Sequence, residues 1–419
     1  MSTQFWTIMA CLALMALGAT ACQSSLATTV TDKPTAAPGT ATPMPAAKVA
    51  TAAPTPLPSP TAGPSPTPAP LRTPAWTFAT QGEVWSSPTV KDGVIYFGSD
   101  DHFLYAVDVA THQLKWKFET GDLVRSRPAV AEGTVYFTSD DNYLYAVDAQ
   151  TGKEAWRFDM GKAIMAREPI PRGWDYMQSS PAVAEGVVYV GSANPNFYAV
   201  DAKTGQEKWR FKAGLYVRSS PAVVNGVVYF GDWLGKVFAL DAQTGQEKWN
   251  FNTGGSVVPS ATIVDGVVYI GSKSPCVFAL DAQNGQKKWC FSYPSDIAWV
   301  ESSAAVADGV VYVGSSDWVR LNAIDAATGQ LRWYFRTKGD PWCSPAVAEG
   351  VVYIGATGGY FYALDAAAGR ELWRVRTDKA LKTMDVRFDG GVVSSPIVVD
   401  GMVYFGSMDG KLYAVSTAL

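Results

Sequence analysis

Histidine and charge are scarce in this sequence. The 419 residues include two histidines, His102 and His112, and 17% charged residues, against about 25% in an average globular chain. Two histidines so close together leave little material for a histidine-rich metal site or a histidine-based catalytic triad. The 34 Lys and Arg and the 38 Asp and Glu give a net charge of −4. This balance argues against nucleic acid as a partner, because such binding needs a concentrated basic surface.

The amino-terminal segment resembles a bacterial lipoprotein signal. Residues 5–21 are uncharged and largely apolar. The run closes with the small residues Ala19, Thr20 and Ala21, and Cys22 follows it. A signal-peptide core is the usual interpretation of such a run. The resemblance implies a signal peptide over residues 1–22 and a lipid on Cys22. Ordinary cleavage after Ala21 and an uncleaved anchor are the alternatives, and all three export the rest of the chain.

Residues 23–73 are predicted to form a tether without a fixed fold. They are rich in Ala, Thr, Pro and Ser, and 13 of the 26 prolines lie between Pro34 and Pro74. Such a segment cannot bury enough apolar surface to offset the entropy of ordering, and its X-Pro pairs favour extended geometry. We expect a spacer that holds the following domain away from a membrane or wall, with inconsequential disorder as the alternative.

From residue 74 to residue 419 the chain repeats a unit of 40 residues. Each unit contains four short strand signals, written SSPAVAEG, VVYVGS, FYAVDA and KWRF in the copy around residue 200. A period of this length with four strands is typical of a β-propeller blade. A tryptophan ends each unit, and these residues are Trp76, Trp116, Trp156, Trp209, Trp249, Trp289, Trp333 and Trp373.

The two ends of the repeat predict how the ring closes. The first copy contains only a closing strand, residues 76–78, and the last copy stops after its third strand, residues 412–416. The amino-terminal strand is therefore expected to complete the last blade, which removes an exposed edge that would invite aggregation. The predicted fold class is all-β, an eight-bladed β-propeller with four-stranded antiparallel blades.

The motif A-x-D-x-x-T-G-x-x-x-W joins the third and fourth strands of each unit. It is complete in four copies, of which residues 146–156 are one, and it departs from the pattern at His112, Asn284 and Ala368. This motif resembles the tryptophan-docking motif of PQQ-like (quinoprotein) β-propeller repeats. That superfamily includes PQQ-dependent alcohol and methanol dehydrogenases and BamB-like outer-membrane assembly lipoproteins. The resemblance covers residues 75–416 and implies the fold rather than an activity, because the motif residues dock blades together.

The resemblance also implies what a cofactor site would need. Dehydrogenases of this superfamily hold PQQ with a vicinal disulfide, a calcium-liganding set of side chains and a stacking tryptophan. This sequence has no Cys-Cys pair, so we expect neither cofactor nor metal, with PQQ and calcium as the alternative. The acid pairs 100–101 and 140–141 lie in predicted turns, where Asp commonly bonds the backbone, with calcium again the alternative.

Three cysteines fall within the repeats. Cys276 and Cys290 flank the hairpin turn of the fifth blade and could form a disulfide across its third and fourth strands in an exported domain. A shift of one residue in register would instead place them on opposite faces. Cys343 replaces the first serine of the SSP signal and is expected to be a small buried residue.

The candidate binding surface is the face that carries the connections between blades and between second and third strands. Inserts at residues 162–178 and 379–391 lengthen two of these connections, and long loops gathered on one face are commonly functional. The positions three residues before each repeat's Pro or Ala should surround the channel mouth: Trp85, Arg125, Gln178, Arg218, Val258, Glu301, Trp342 and Val393.

From this face we select candidate residues for a planar or anionic ligand, or for a peptide. The alternative is that they only plug and solvate a narrow channel. The candidates are Trp85, Arg125, Arg127, Arg167, Asp175, Tyr176, Arg218, Glu301, Trp342, Asp385 and Arg387.

The functional prediction is an exported, lipid-anchored, monomeric propeller that serves as a non-catalytic binding or assembly scaffold in the cell envelope. Its partner would be an envelope protein or polymer, and its location the extracytoplasmic side of a membrane. One alternative is a PQQ-dependent oxidoreductase. The other is a glycan-binding surface protein, suggested by the loop aromatics Trp174, Tyr176, Trp233 and Trp318.

Overall fold

A computed structural model describes residues 69–163, 179–293, 299–316, 319–378 and 391–419. Within these ranges the chain forms eight antiparallel sheets of four strands each, one of which carries an additional fifth strand. The sheets surround a central channel as the blades of a propeller, which confirms the predicted all-β, eight-bladed fold. The predicted signal and residues 23–68 of the predicted tether lie outside the described residues. No helix in the described part of the chain is long and apolar enough to cross a membrane.

The strands occupy the same four positions in every blade. The innermost strands are β3 (Thr89–Lys91), β7 (Ala129–Ala131), β11 (Ala182–Ala184), β15 (Ala222–Val224), β19 (Thr262–Val264), β23 (Ala305–Ala307), β27 (Ala346–Ala348) and β31 (Ile397–Val399). The second strands are β4 (Val94–Gly98), β8 (Thr134–Thr138), β12 (Val187–Gly191), β16 (Val227–Gly231), β20 (Val267–Gly271), β24 (Val310–Ser315), β28 (Val351–Ala356) and β32 (Met402–Ser407).

The third and outer strands complete the blades. The third strands are β5 (Phe103–Asp108), β9 (Tyr143–Asp148), β13 (Asn196–Asp201), β17 (Lys236–Asp241), β21 (Cys276–Asp281), β25 (Arg320–Asp325), β29 (Tyr360–Asp365) and β33 (Lys411–Ser416). The outer strands are β6 (Leu114–Glu119), β10 (Glu154–Asp159), β14 (Glu207–Lys212), β18 (Glu247–Asn252), β22 (Lys287–Ser292), β26 (Leu331–Arg336), β30 (Glu371–Arg376) and, for the last blade, β2 (Trp76–Ala79).

Burial explains the sequence pattern of each strand position. The second strand β12 (VVYVG) is buried along its whole length, whereas the outer strand β14 (EKWRFK) alternates between half-buried and exposed residues. Middle strands are covered by neighbouring blades on both faces, so they are continuously apolar, and the outer strand alternates because its side chains face solvent in turn. The first two strands are joined by tight turns such as Glu185-Gly186, whose φ angles of 50° and 71° suit a type I′ hairpin.

Six of the eight blades are docked to the next by a tryptophan and a glycine. The indole Nε1 of Trp156 donates a hydrogen bond to the carbonyl oxygen of Ala202 at 3.1 Å. The same ring packs so closely on Gly205 that a Cβ there would lie 2.6 Å from the ring. The pairs that repeat this close packing are Trp116–Gly152, Trp209–Gly245, Trp249–Gly285, Trp289–Gly329 and Trp333–Gly369. The motif glycine is therefore required both for its positive φ and for the space it leaves.

The remaining motif residues hold the glycine turn in shape. Asp201 Oδ1 accepts hydrogen bonds from the backbone N–H and the hydroxyl of Thr204, both at 2.9 Å. In the fifth blade, Asn284 Oδ1 accepts the backbone N–H of Gln286 at 2.9 Å, so the amide performs the acceptor role of the missing threonine. His112, which replaces the glycine in the first blade, stacks on Trp76 with ring centroids 4.5 Å apart.

The ring closes as the two ends of the repeat predicted. Strand β2 pairs antiparallel with β33, with Trp76 opposite Ala414, and so supplies the fourth strand of the last blade. On the inner side, the backbone N–H of Ser395 donates to Ser87 Oγ at 2.9 Å, which joins the last blade to the first.

A short amino-terminal strand, β1 (Leu71–Arg72), was not predicted. It runs parallel to β30 on the outer edge of the seventh blade, within the segment that the sequence assigned to the tether. The guanidinium of Arg72 lies 4.7 Å from the ring of Trp373 and donates to the carbonyl oxygen of Ser416 at 3.0 Å. Two residues are too few to form a recognisable strand pattern, so this strand becomes visible only in the folded ring.

Arg72 occupies the place where the docking turn is missing. Trp373 would dock on the turn between the third and outer strands of the last blade, but that turn is replaced by the two ends of the propeller sequence. The indole nitrogen of Trp373 accordingly finds no hydrogen-bond partner among the described residues. Arg72 covers the ring instead and links it to β33.

Two glycines with the same backbone conformation test the docking contact. Gly205 and Gly186 both have φ of 71°, but a Cβ on Gly186 would meet nothing within 4 Å. We expect Gly186→Ala to cost about 1 kcal/mol of unfolding free energy from the positive φ alone. Gly205→Ala should cost roughly 1–3 kcal/mol more, since the added methyl group overlaps the ring of Trp156. Denaturant-induced unfolding measures both values, and equal losses would contradict the docking role.

Candidate functional site: the central channel and its mouth

The beginnings of the inner strands enclose a cavity of about 510 Å³ on the propeller axis. Seven of the eight positions predicted to surround the channel mouth line it, and the eighth, Gln178, lies outside the described residues. The seven are Trp85, Arg125, Arg218, Val258, Glu301, Trp342 and Val393. Their shared position in the repeat therefore places these seven residues together at the mouth.

A ring of hydrogen bonds between blades runs around the channel. In six of the eight repeats, the backbone N–H of the second residue of the SSP signal donates to a serine hydroxyl of the next blade, over 2.9–3.1 Å. The donor–acceptor pairs are Arg127–Ser180, Ser180–Ser220, Ser260–Ser303, Ser303–Ser344, Ser344–Ser395 and Ser395–Ser87. The serines of this signal thus hold neighbouring inner strands in register and present their hydroxyls to the channel.

Two of the predicted ligand-binding tryptophans are buried against each other. Trp85 and Trp342 are 5% and 8% exposed and form one apolar cluster with Val393 and Met408. The indole Nε1 of Trp85 donates to Glu83 Oε2 at 2.6 Å. These rings fill one side of the mouth.

Arg125 is bound within the protein. Its guanidinium forms a two-point interaction with the carboxylate of Asp100, at 2.8 and 2.6 Å, and lies 4.6 Å from the ring of Trp85. Burial lowers the pKa of Arg125, but the hydrogen bonds and charge of Asp100 outweigh it, so the net shift of its pKa is upward. Arg125 therefore stabilises the mouth and keeps little capacity for a ligand.

The acid pairs in the turns have structural partners as well. Asp101 accepts hydrogen bonds from the backbone N–H of Gln81 at 2.9 Å and from the Tyr105 hydroxyl at 2.7 Å. Asp141 repeats this pattern with Gly121 at 2.9 Å and with Tyr145 at 2.7 Å. Within the described ranges, no group of three or more His, Cys, Asp or Glu residues is placed to hold a metal ion.

The opposite side of the mouth carries a row of alternating cations and aromatic rings. The guanidinium of Arg218 lies 4.9 Å from the ring of Trp233, and the ammonium of Lys273 lies 4.6 Å from Trp233 and 4.5 Å from Trp299. Lys273 also pairs with Glu301 at 3.3 Å. We call Arg218, Trp233, Lys273 and Trp299 the aromatic row.

Sequence reasoning identified only part of the aromatic row. It placed Arg218 and Glu301 at the mouth and named Trp233 as a loop aromatic, but it missed Lys273 and Trp299. Lys273 lies in a connection between second and third strands, whereas Trp299 lies in a connection between two blades. Their positions within the repeat therefore do not mark them as neighbours. Only the docking of adjacent blades brings them together.

Arg127 differs from the other cations of the mouth. It is exposed to the channel, and its Nε donates to the hydroxyl of Thr89 at 3.2 Å. Because protein surrounds the channel, desolvation lowers the pKa of Arg127. The remaining candidates, Arg167, Asp175, Tyr176, Asp385 and Arg387, lie outside the described residues, as do Trp174 and Trp318.

The structure joins Cys276 and Cys290 by a disulfide with their Cα atoms 5.9 Å apart. Phe278, two residues after Cys276, is the direct cross-strand partner of Cys290, so the cysteines meet on a diagonal of one sheet face. Cys343 is buried and accepts the backbone N–H of Gly355 at 3.2 Å. In other blades a serine accepts the equivalent bond, as Ser179 does from Gly191.

The described residues around the channel do not fit a calcium-bound quinone. Calcium takes six to eight oxygen ligands, largely carboxylates and carbonyls. Glu301 is the only carboxylate among the described residues that line the cavity, and it is paired with Lys273. Arg127 lines the same cavity without a paired carboxylate among the described residues and would oppose a cation.

A family model described as outer membrane protein assembly factor BamB matches residues 70–171, 140–298 and 292–418. Similar solved structures include BamB from Moraxella catarrhalis (17% identity, TM-score 0.63), covering 82% of this chain and 96% of that one. A europium-containing methanol dehydrogenase has 16% identity and a TM-score of 0.65, covering 81% of this chain and 86% of that one.

The quinohemoprotein alcohol dehydrogenase from Comamonas testosteroni is 18% identical, with a TM-score of 0.63, covering 82% of this chain and 76% of that one. At sequence identities this low, the similarity of the structures shows that the fold is shared and nothing more. No curated protein matches the chain. The family match and these structures confirm the resemblance to PQQ-like propeller repeats.

The environment of Cys343 predicts an unreactive thiol. Burial raises its pKa to about 12, an effect that the N–H of Gly355 only partly opposes. The reactive thiolate is therefore scarce at pH 8. We expect iodoacetamide to leave Cys343 unmodified in the native protein and to alkylate it in urea, as measured by peptide mass spectrometry. Comparable alkylation in both states would show that the thiol is accessible.

Proposed function

The chain belongs to the family described as outer membrane protein assembly factor BamB, and from this we propose that it acts as a non-catalytic binding or assembly scaffold in the cell envelope. The proposed location is extracytoplasmic, because the family name refers to the outer membrane and residues 5–21 resemble an export signal. A lipid on Cys22 would anchor the domain through the proline-rich segment. Mass spectrometry of the mature amino terminus distinguishes lipidation, simple cleavage and an uncleaved anchor.

The proposal of a protein partner rests on the aromatic row. Trp, Tyr and Arg are the residue types that dominate binding energy in protein interfaces. In the row they are held in fixed positions by one another, so little side-chain entropy is lost when a partner covers them. Leu234, next to Trp233 in the same turn, is 59% exposed and adds apolar surface at this point of the mouth face.

The same contacts argue against the two other functions. Arg218 and Lys273 already lie over the ring of Trp233, so this ring is poorly suited to stack on a sugar. Among the described residues, the channel lining offers one carboxylate, which is fewer oxygen ligands than a calcium-bound quinone would need. Similarity to the two dehydrogenases supports a shared fold and gives no separate support for oxidation.

A pair of exposed leucines gives a matched test of the partner surface. Leu234 lies on the mouth face, and Leu114, 43% exposed, follows a turn between third and outer strands at the other end of a blade. A photoactivatable phenylalanine analogue replaces one or the other in cells. We expect position 234 to give discrete adducts with envelope proteins, identified by mass spectrometry, because the partner covers the mouth face.

Position 114 serves as the control and is expected to give no such adduct. Identical adduct patterns from both positions, or none from position 234, would contradict the proposed surface.

A further inference from the structure

The second blade departs from the serine pattern of the channel lining. The second residue of the SSP signal is serine in seven repeats and Arg127 in the second. The backbone N–H of Arg127 still donates to Ser180 Oγ at 2.9 Å, but its side chain has no hydroxyl to offer the preceding blade. A single cation in an otherwise neutral ring departs from the symmetry that the other blades keep.

This substitution introduces a charge that has no paired carboxylate among the described residues. The channel surrounds the guanidinium with protein, and desolvation disfavours its charged form. Its only polar contact among the described residues is the bond from Nε to Thr89 Oγ1 at 3.2 Å. Natural sequences commonly break a local rule in this way where a site is functional.

The hydrogen bond that Arg127 makes through Nε leaves its two Nη groups available as donors to a ligand. Thr89 donates its own proton to the carbonyl oxygen of Pro128 at 2.6 Å, so its oxygen is free to accept from Arg127 and fixes Nε. The two Nη groups, with four N–H bonds, have no partner within the described ranges. Their planar fork matches two coplanar oxygens, as a carboxylate or a phosphate presents them.

The surroundings favour the same class of ligand. A serine hydroxyl that accepts a backbone N–H, as Ser87 and Ser180 do, keeps its own hydrogen for donation. The carboxylate of Glu301, the only one in the described lining, is neutralised by Lys273 at 3.3 Å. The cavity of about 510 Å³ is in the size range of small-molecule sites.

We propose that the central channel binds a small oxyanion, a carboxylate or a phosphate, on the Nη groups of Arg127, with serine hydroxyls of neighbouring blades as additional donors. This site does not depend on the scaffold proposal, since it lies inside the channel and is assayed without a protein partner.

Isothermal titration of the full chain with sodium malonate and with inorganic phosphate tests the proposal, with sodium chloride at equal ionic strength as the reference. Arg127→Ser is the informative variant, because it restores the residue found in the other seven blades. Arg157→Ser is the matched control, since Arg157 lies on the outer strand of the same blade and pairs with Glu154 at 3.6 Å.

We expect saturable binding of at least one probe to the wild-type protein and to Arg157→Ser, and affinity at least tenfold weaker in Arg127→Ser. Binding of malonate alone would assign a carboxylate ligand, and binding of phosphate alone a phosphate ligand. Arg127→Lys keeps the charge but loses the fork, so its affinity should lie between the two. No saturable binding of either probe, or unchanged affinity in Arg127→Ser, would overturn the site.

A second readout separates the site from a structural role of Arg127. Without anion, Arg127→Ser should raise the melting temperature, because the missing hydroxyl between neighbouring blades is supplied. With the bound probe, the melting temperature of the wild type should rise and that of Arg127→Ser should not. A lower melting temperature in Arg127→Ser together with unchanged binding would show that the arginine only supports the fold.

Discussion

Six of the eight tryptophans that end the blades pack on the glycine turn of the next blade, and the ring depends on this contact. The turn needs a residue with positive φ and no side chain, so the spacing of Asp, Thr and Gly is fixed relative to the tryptophan, as in Asp201, Thr204 and Gly205. Where the glycine is lost, His112 stacks on Trp76 and the docking survives. Where the turn itself is absent, Arg72 covers Trp373. Both exceptions occur where the sequence ends of the propeller meet.

The fold could be predicted from the sequence because the repeat determines it. A period of 40 residues, a tryptophan at each end and an incomplete first and last unit determine the blade number and the closing strand. Strand β1 escaped prediction because its role is set by a missing turn in a distant blade. The disulfide partners meet on a diagonal, a detail that depends on the bulge between Ala279 and Leu280 in the pairing of β21 with β22.

The location of the site could be predicted from the sequence, but the contacts of its side chains could not. Position within the repeat put Trp85, Arg125 and Trp342 at the mouth, but it does not show that Arg125 binds Asp100, which lies in a connection between second and third strands. Two of them are buried in a cluster and the third is bound to Asp100, whereas Arg127 faces the channel. The repeat thus assigns location, and the docking of neighbouring blades decides which side chains remain available.

The amino-terminal strands are the most direct test of this account, because closure depends on them. A chain beginning at residue 69 retains β1 and β2, and one beginning at residue 80 lacks both. Thermal unfolding with sizing by light scattering should show the longer chain as a monomer with one cooperative transition. The shorter chain should melt roughly 10 °C lower or more and self-associate through the exposed edge of β33. Equal melting temperatures and two monomers would contradict the closure of the ring by these strands.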